Sequence, residues 1–280
     1  MILIADCGST KIDWCLVENH EIKKQIFTTG MNAMLLTQEE MATRIADELM
    51  PQLGVSSAEV SAVYFYGAGC ISPEVCGNVA EAIRASIPAP TIEVATDLLA
   101  AARALCGHEE GIACIIGTGS NSCYYDGREI VDNVSPLGYI LGDEGSGAVL
   151  GKLLLGDVLK NQLPASLADK FLEEYHLDRL SIIRRVYREP QPNRFLASVT
   201  PFLLQNIAEP AVHRLVLNSF KSFFVRNITN YKRYKELKIN FVGSIAYYYA
   251  EVLNEAAASV GCTIGTIIRS PMEGLVKYHA

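Results

Sequence analysis

Two short stretches hold the residue types best suited to binding an anion: Asp6-Cys7-Gly8-Ser9-Thr10-Lys11 and Gly117-Thr118-Gly119-Ser120-Asn121. In a tight turn, glycine lets backbone N–H groups approach a ligand without an intervening Cβ, and Ser or Thr hydroxyls add further donors. A phosphate suits such donors. Gly8, Ser9 and Thr10 therefore form one candidate phosphate loop, and Thr118 and Gly119 a second. Either turn alone is also an ordinary hairpin turn. Lys11 can reach a phosphate or stand in solvent. Asp6 ends an apolar run, where an ionised carboxylate is costly unless it is hydrogen-bonded or faces a cation. A magnesium ion held largely through water meets that need, as does an Asp bonding its own turn.

Three further places carry candidate chemistry. Asp97 follows the short apolar run 91–95, at the start of an Ala-rich helix. Taken locally it is a helix N-cap. The carboxyl ends of strands in α/β sheets face the ligand crevice, however, and a carboxylate there can accept a proton from a hydroxyl attacking a γ-phosphate. The segment Gly138-Tyr139-Ile140-Leu141-Gly142-Asp143-Glu144-Gly145-Ser146-Gly147 brings backbone close to a ligand and presents Asp143 as an acceptor for sugar hydroxyls. Gly243-Ser244 follows an apolar run and either opens a helix N-terminus toward a nucleotide or makes a plain strand-to-helix turn.

The elements that must position these residues follow from periodicity. Strands are expected at 1–5, 11–17 and 21–28, a helix at 38–53 with Met41, Ile45 and Leu49 on one face, a strand at 60–66, a helix at 73–87, a strand at 91–95 and a helix from about 97. That order is βββαβαβα. It recurs as strands at 111–116, 122–126 and 128–134, a helix at about 144–159, a strand at 238–242, a helix at 246–259, a strand at 263–269 and a helix from 272. The halves share element order rather than residues, and the two Gly/Ser/Thr turns fall in the first hairpin of each. This matched position favours phosphate binding by both, facing one another across a cleft. The expected domains are 1–104, with the helix 272–280 packing back onto it, and 105–271, carrying a helical insertion at about 160–235.

The chain has 280 residues, half of them apolar, enough for two cores. A net charge of −7 and a pI near 5.3 argue against a nucleic-acid or anionic-membrane partner. The eight cysteines contain no Cys-x-x-Cys and read as reduced, mostly buried thiols. The five histidines are scattered and polar-flanked, which suits surface positions. Without a basic flank or a long uncharged apolar stretch, the protein is expected to be soluble and cytoplasmic.

In this order the motifs resemble those of the BadF/BadG/BcrA/BcrD ATPase family, within the actin-like ATPase and sugar kinase superfamily, nearest its N-acetylglucosamine kinases. The carriers are the Asp6–Lys11 stretch with Asp13-Trp14, Gly30-Met31-Asn32, Thr96-Asp97, Gly117 to Asn121, Gly142 to Ser146 and Phe241-Val242-Gly243-Ser244. The resemblance implies a duplicated ribonuclease H-like fold that binds ATP and Mg2+ between two domains closing on a sugar. It implies that Asp97 is the base for the sugar 6-hydroxyl and that Asn32, Gly119, Asn121 and Asp143 surround the sugar. Thr10, Lys11, Thr118 and Gly119 would stand near the phosphates, with Gly243 and Ser244 near the adenosine. The implied substrate is an amino sugar: N-acetylglucosamine, with glucosamine or N-acetylmuramic acid as alternatives. Leu137 stands where the animal N-acetylglucosamine kinases have a tryptophan beside the sugar. Other family members activate 2-hydroxyacyl-CoA dehydratases through a shared iron–sulfur cluster, which here would need Cys106, Cys114 and Cys123 exposed at a dimer interface. A homodimer is compatible with the helical insertion.

Overall fold

The computed structural model describes residues 1–8 and 11–279, so Ser9 and Thr10, two of the candidate phosphate donors, lie outside the described residues. The chain divides into two compact units. One comprises Met1–Glu109, Asp126–Ile130 and Ser270–Ala280; the other comprises Glu110–Tyr125 and Val131–Arg269.

In the first unit, strands β1 (Ile2–Cys7), β2 (Lys11–Glu18), β3 (Glu21–Thr29), β4 (Ala62–Gly67) and β5 (Thr91–Thr96) form a five-stranded sheet in the order β3-β2-β1-β4-β5. The hairpins β1–β2 and β2–β3 are antiparallel, and β4 and β5 join β1 in parallel. Both faces are covered, which is why β1 and β2 read as nearly continuous apolar runs. Leu3, Ala5, Cys7, Ile12, Trp14 and Leu16 enter one core. Ile4, Cys15 and Val17 enter the other, with Ala100 of the Asp97–Cys106 helix and Met272, Leu275 and Val276 of the Met272–His279 helix. Because side chains alternate along a strand, Asp6 shares the Ile4 face and Asp13 the Cys15 face, and the two are directly opposed in the β1–β2 register.

The expected helix 38–53 forms, but in three pieces: Gln38–Arg44, a wider π-type turn Ile45–Leu49, and Met50–Leu53. Pro51 explains the widening. It has no N–H to donate and its ring crowds the preceding turn, so an extra residue is accommodated just before it. Met41, Ile45 and Leu49 are all buried, as their spacing predicts.

The second unit repeats the topology with β6 (Gly111–Ile116), β7 (Ser120–Tyr125), β8 (Ile130–Asp132), β9 (Ile239–Val242) and β10 (Ile264–Ile268) in the order β10-β9-β6-β7-β8. The β6–β7 hairpin is antiparallel, and β9 and β10 are parallel to β6. Helices over the expected insertion, among them Ala165–Glu174, Arg179–Tyr187, Pro192–Ser198 and Pro210–Arg226, bury Phe171, Phe202, Phe220, Phe223 and Phe224 in one core with β6 and β9.

Three elements differ from expectation. The helix at 246–259 starts at Ser244 and breaks at Tyr249, whose hydroxyl donates to the Thr200 carbonyl (2.6 Å). The strand at 128–134 shortens to Ile130–Asp132, because Asp126 Oδ1 accepts the Arg128 and Glu129 N–H groups and holds a turn. The helix at 144–159 begins only at Gly147, with Ser146 as its N-cap. No helix among the described residues is long and apolar enough to cross a membrane.

Candidate functional site

The first unit gathers carboxylates at the carboxyl ends of β1 and β5. Asp97 opens its helix, yet it is not the cap. Thr96 is, its Oγ1 accepting the Leu99 N–H at 3.1 Å. The capping alternative for Asp97 therefore fails by one residue. Burial pushes the Asp97 carboxyl above its ordinary range, offset in part by the N–H groups of Leu98 and of Asp97 itself. Asp6 is pushed up to about 7, first by burial and then by the negative charges of Asp97 and Asp13, against which Lys11 acts.

Asp13, opposite Asp6 on β2, has a partner of its own. It is buried, but Gln25 Nε2 donates to both of its oxygens at 2.8 and 2.9 Å. Asp6 makes no such bond among the described residues. A half-buried carboxylate to which no other described side chain donates, beside two like charges, is what a cation held through water would relieve.

Around these carboxylates, Gly8 donates its N–H to the Lys11 carbonyl at 3.0 Å and closes the hairpin. The Lys11 ammonium lies 4.7 Å from the centre of the Phe27 ring, on the surface. Asn32 follows β3, its Oδ1 accepting the Met34 N–H at 3.0 Å. A Cβ on Gly69, at φ +92°, would come within 3.1 Å of that oxygen, so the close approach needs glycine.

In the second unit, the turn Gly117–Gly119 is held by the helix that follows the acidic loop. The Gly147 N–H donates to the Gly117 carbonyl (2.8 Å) and the Ala148 N–H to the Thr118 carbonyl (3.0 Å). Asp143 is brought to the same turn, where a Cβ on Gly119 would lie 3.1 Å from Asp143 Oδ2. Asp143 has φ +53°, a left-handed conformation that Asp tolerates better than most residues. Burial raises its carboxyl, which the Ser120 backbone N–H partly offsets and neighbouring Glu144 reinforces. Asn121, on β7, uses its Oδ1 to accept the Ser122 N–H and the Asn133 Nδ2, at 2.9 and 3.0 Å. Gly119 and Asp143 are thus adjacent at this unit's first hairpin, with Asn121 two residues further along it.

Gly243 has a backbone task. At φ +125°, its Cβ would lie 2.3 Å from the Ile116 carbonyl oxygen, so it lets β9 turn tightly against β6. Ser244 is exposed on a helix of five residues.

Three residues that shape these arrangements stand in the motifs but have no role assigned from sequence: Asp13, Thr96 as cap, and Glu144, which pairs with Arg226. The signal for Asp13 was a charged residue inside the apolar run 12–17. His279 is also not a free surface group. Its ring stacks on Tyr64 with centroids 3.6 Å apart and its Nε2 meets the Tyr66 hydroxyl at 2.7 Å, and burial lowers it to about 4. Cys114 and Cys123 are wholly buried, which removes the surface presentation an intersubunit cluster needs. A cavity of about 600 Å3 lies in the second unit, between the Gly147–Leu159 and Pro210–Arg226 helices, and meets the acidic loop at Ile140, Leu141, Gly142 and Glu144.

With this geometry in place, comparison with known proteins gives a consistent result. The model of the BadF/BadG/BcrA/BcrD ATPase family matches residues 5–183. The chain is 51% identical, with a TM-score of 0.96, to a Porphyromonas gingivalis protein described as "Putative N-acetylglucosamine Kinase", covering 100% of this chain and 98% of that one. A Chromobacterium violaceum protein described in the same words has 16% identity and a TM-score of 0.77, over 100% and 99% of the two chains. A ROK family glucokinase from Streptomyces griseus, solved with glucose and AMPPNP, has 14% identity and a TM-score of 0.57, over 99% and 97%. The last two share the fold alone, and with it the duplicated ribonuclease H-like architecture expected from the sequence. The comparison with curated proteins found no match.

Proposed function

This chain belongs to the BadF/BadG/BcrA/BcrD ATPase family, and we propose that it is an ATP-dependent sugar kinase acting on the 6-hydroxyl of an amino sugar, N-acetylglucosamine first among them. The observation that carries the reading is Asp97. It is a half-buried carboxylate at the carboxyl end of β5, released from capping by Thr96 and raised by burial above its ordinary range, the direction a general base needs.

In this reading Asp97 accepts the proton of the sugar hydroxyl as that oxygen bonds to the γ-phosphorus. The bond from the γ-phosphorus to the β,γ-bridging oxygen breaks, and ADP leaves. Asp143, Asn121, Gly119 and Asn32 hold the sugar, with Asp143 accepting from its hydroxyls. Gly8, Ser9, Thr10, Lys11, Thr118 and Gly119 receive the phosphates, and Gly243 and Ser244 lie toward the adenosine. Asp6 would hold Mg2+ through water, and the ion supplies charge neutralisation on the phosphates when bound. The choice of N-acetylglucosamine rests on the relative that is 51% identical.

Purified protein with ATP, Mg2+ and a panel of N-acetylglucosamine, glucosamine, N-acetylmuramic acid and glucose tests the proposal. Sugar-dependent ADP release is expected, greatest with N-acetylglucosamine, and folded protein that releases none with any sugar refutes it. Asp97→Asn should lower kcat by roughly 100-fold or more while nucleotide affinity stays within a few-fold.

A further inference from the structure

The loop that carries Asp143 is fastened from behind by residues that touch neither phosphates nor sugar in the reading above. Glu144, the next residue, is bonded at three points. Its carbonyl accepts the Ser120 hydroxyl at 2.9 Å, one carboxylate oxygen pairs with Arg226 Nε, and the other accepts Asn227 Nδ2 at 3.3 Å. The Gly145 N–H donates to Ser219 Oγ at 3.2 Å. Gly145 itself has φ +76° and sits where a Cβ would meet Phe220 and Phe223 at 3.1 and 3.3 Å. On the other side, the Asp143 N–H donates to the Pro136 carbonyl (2.9 Å) and the Ser146 N–H to the Asp143 carbonyl (3.0 Å).

Asp143 therefore lies between two anchors while in a conformation an unrestrained Asp adopts only as a minor one. The Glu144 side chain is largely buried and Arg226 is half out in solvent, so the carboxylate is the member that cannot relax into water if its partner is lost. Ser120 links the two acids directly, its backbone N–H serving the Asp143 carboxylate and its hydroxyl the Glu144 carbonyl.

We infer that Glu144 is a positioning residue for the sugar. Clamped by Arg226 and Asn227 at the end of the Pro210–Arg226 helix, it holds the Asp143 carboxylate against Gly119 and so sets sugar affinity without touching the sugar. The inference rests on the proposed sugar kinase activity and assigns a role outside that reading's own residues.

The test is steady-state kinetics on Glu144→Ala, Glu144→Gln, Arg226→Ala and the double variant Glu144→Ala/Arg226→Ala. The sugar KM is expected to rise roughly 10-fold or more in Glu144→Ala, with KM for ATP within about two-fold of the parent. Glu144→Gln, which keeps the shape and the Asn227 contact, should recover part of the loss. The double variant should be no worse than Glu144→Ala alone, because both changes open one clamp. Glu144→Gln also removes a charge that raises Asp143, so the acid limb of kcat/KM for the sugar should move to lower pH. A folded Glu144→Ala protein with parental sugar KM overturns the inference while leaving the kinase reading intact. Equal losses for sugar and ATP overturn it too, since they indicate general disruption. A parent protein inactive on every sugar overturns both.

Discussion

Asp6→Asn separates the electrostatic cost of the site from its benefit. In the folded chain Asp6 keeps its proton to about pH 7, against 3.8 for an unperturbed side chain, a difference worth about 4 kcal/mol against the ionised form. The sign follows from proton counts. Between those two pH values the folded state binds more protons at this residue than the unfolded state, so stability falls as pH rises through the window and levels off above about 7. Asparagine matches the shape and does not titrate. In metal-free buffer the variant should therefore be the more stable protein at alkaline pH, with its advantage growing by about 2.5 kcal/mol from about pH 5 to about pH 8.

The assay is urea unfolding with a chelator present, followed by tryptophan fluorescence. Trp14 is the single tryptophan of the chain and is buried in the first unit beside Phe65, so its signal reports the unit that contains Asp6. A wild-type to Asp6→Asn difference that stays constant across that range would refute the argument. It would show that the Asp6 carboxylate is already satisfied without a cation. Adding Mg2+ and ATP should then reverse the order, because only the wild type has the charge to return.

Two smaller perturbations probe the scaffold. Thr96→Ala removes the hydroxyl that caps the Asp97 helix and should cost about 1 kcal/mol in the same fluorescence assay, with Thr96→Ser close to neutral. Gly243→Ala forces a Cβ onto the Ile116 carbonyl at a left-handed φ and should cost at least about 2 kcal/mol in thermal unfolding. By contrast Gly156→Ala, inside the Gly147–Leu159 helix with open space around its Cα, should stabilise by about 0.5–1 kcal/mol.

The order βββαβαβα was legible because both sheets are buried on two faces, which leaves strands as short apolar runs that glycine and acidic turns punctuate. What escaped was local and steric. Pro51 lies within a helical pattern that otherwise continues, and only the three-dimensional path shows it absorbed by a wider turn rather than ending the helix. Tyr249 breaks the 246–259 helix because its hydroxyl is held by Thr200, a partner 49 residues away that no periodicity reveals. The start of the helix after Asp143 moved by three residues because Glu144 and Gly145 are committed to Arg226, Asn227 and Ser219.

Among the carboxylates, sequence alone left Asp6 and Asp97 each with a plain local alternative, since Asp is an ordinary turn and cap residue. Register and capping separate these cases. Asp6 and Asp13 face each other across β1 and β2, so they compete for whatever can neutralise charge there. Gln25 answers Asp13 alone, and Thr96 takes the cap that Asp97 would otherwise fill. Among the described residues no side chain answers Asp6 or Asp97, the pair at the strand ends, and the charge of Asp97 raises Asp6. A purely structural role would leave such a cost unanswered. A cation at Asp6 and a proton-yielding hydroxyl at Asp97 would answer that cost together, as the proposed phosphoryl transfer to a sugar requires.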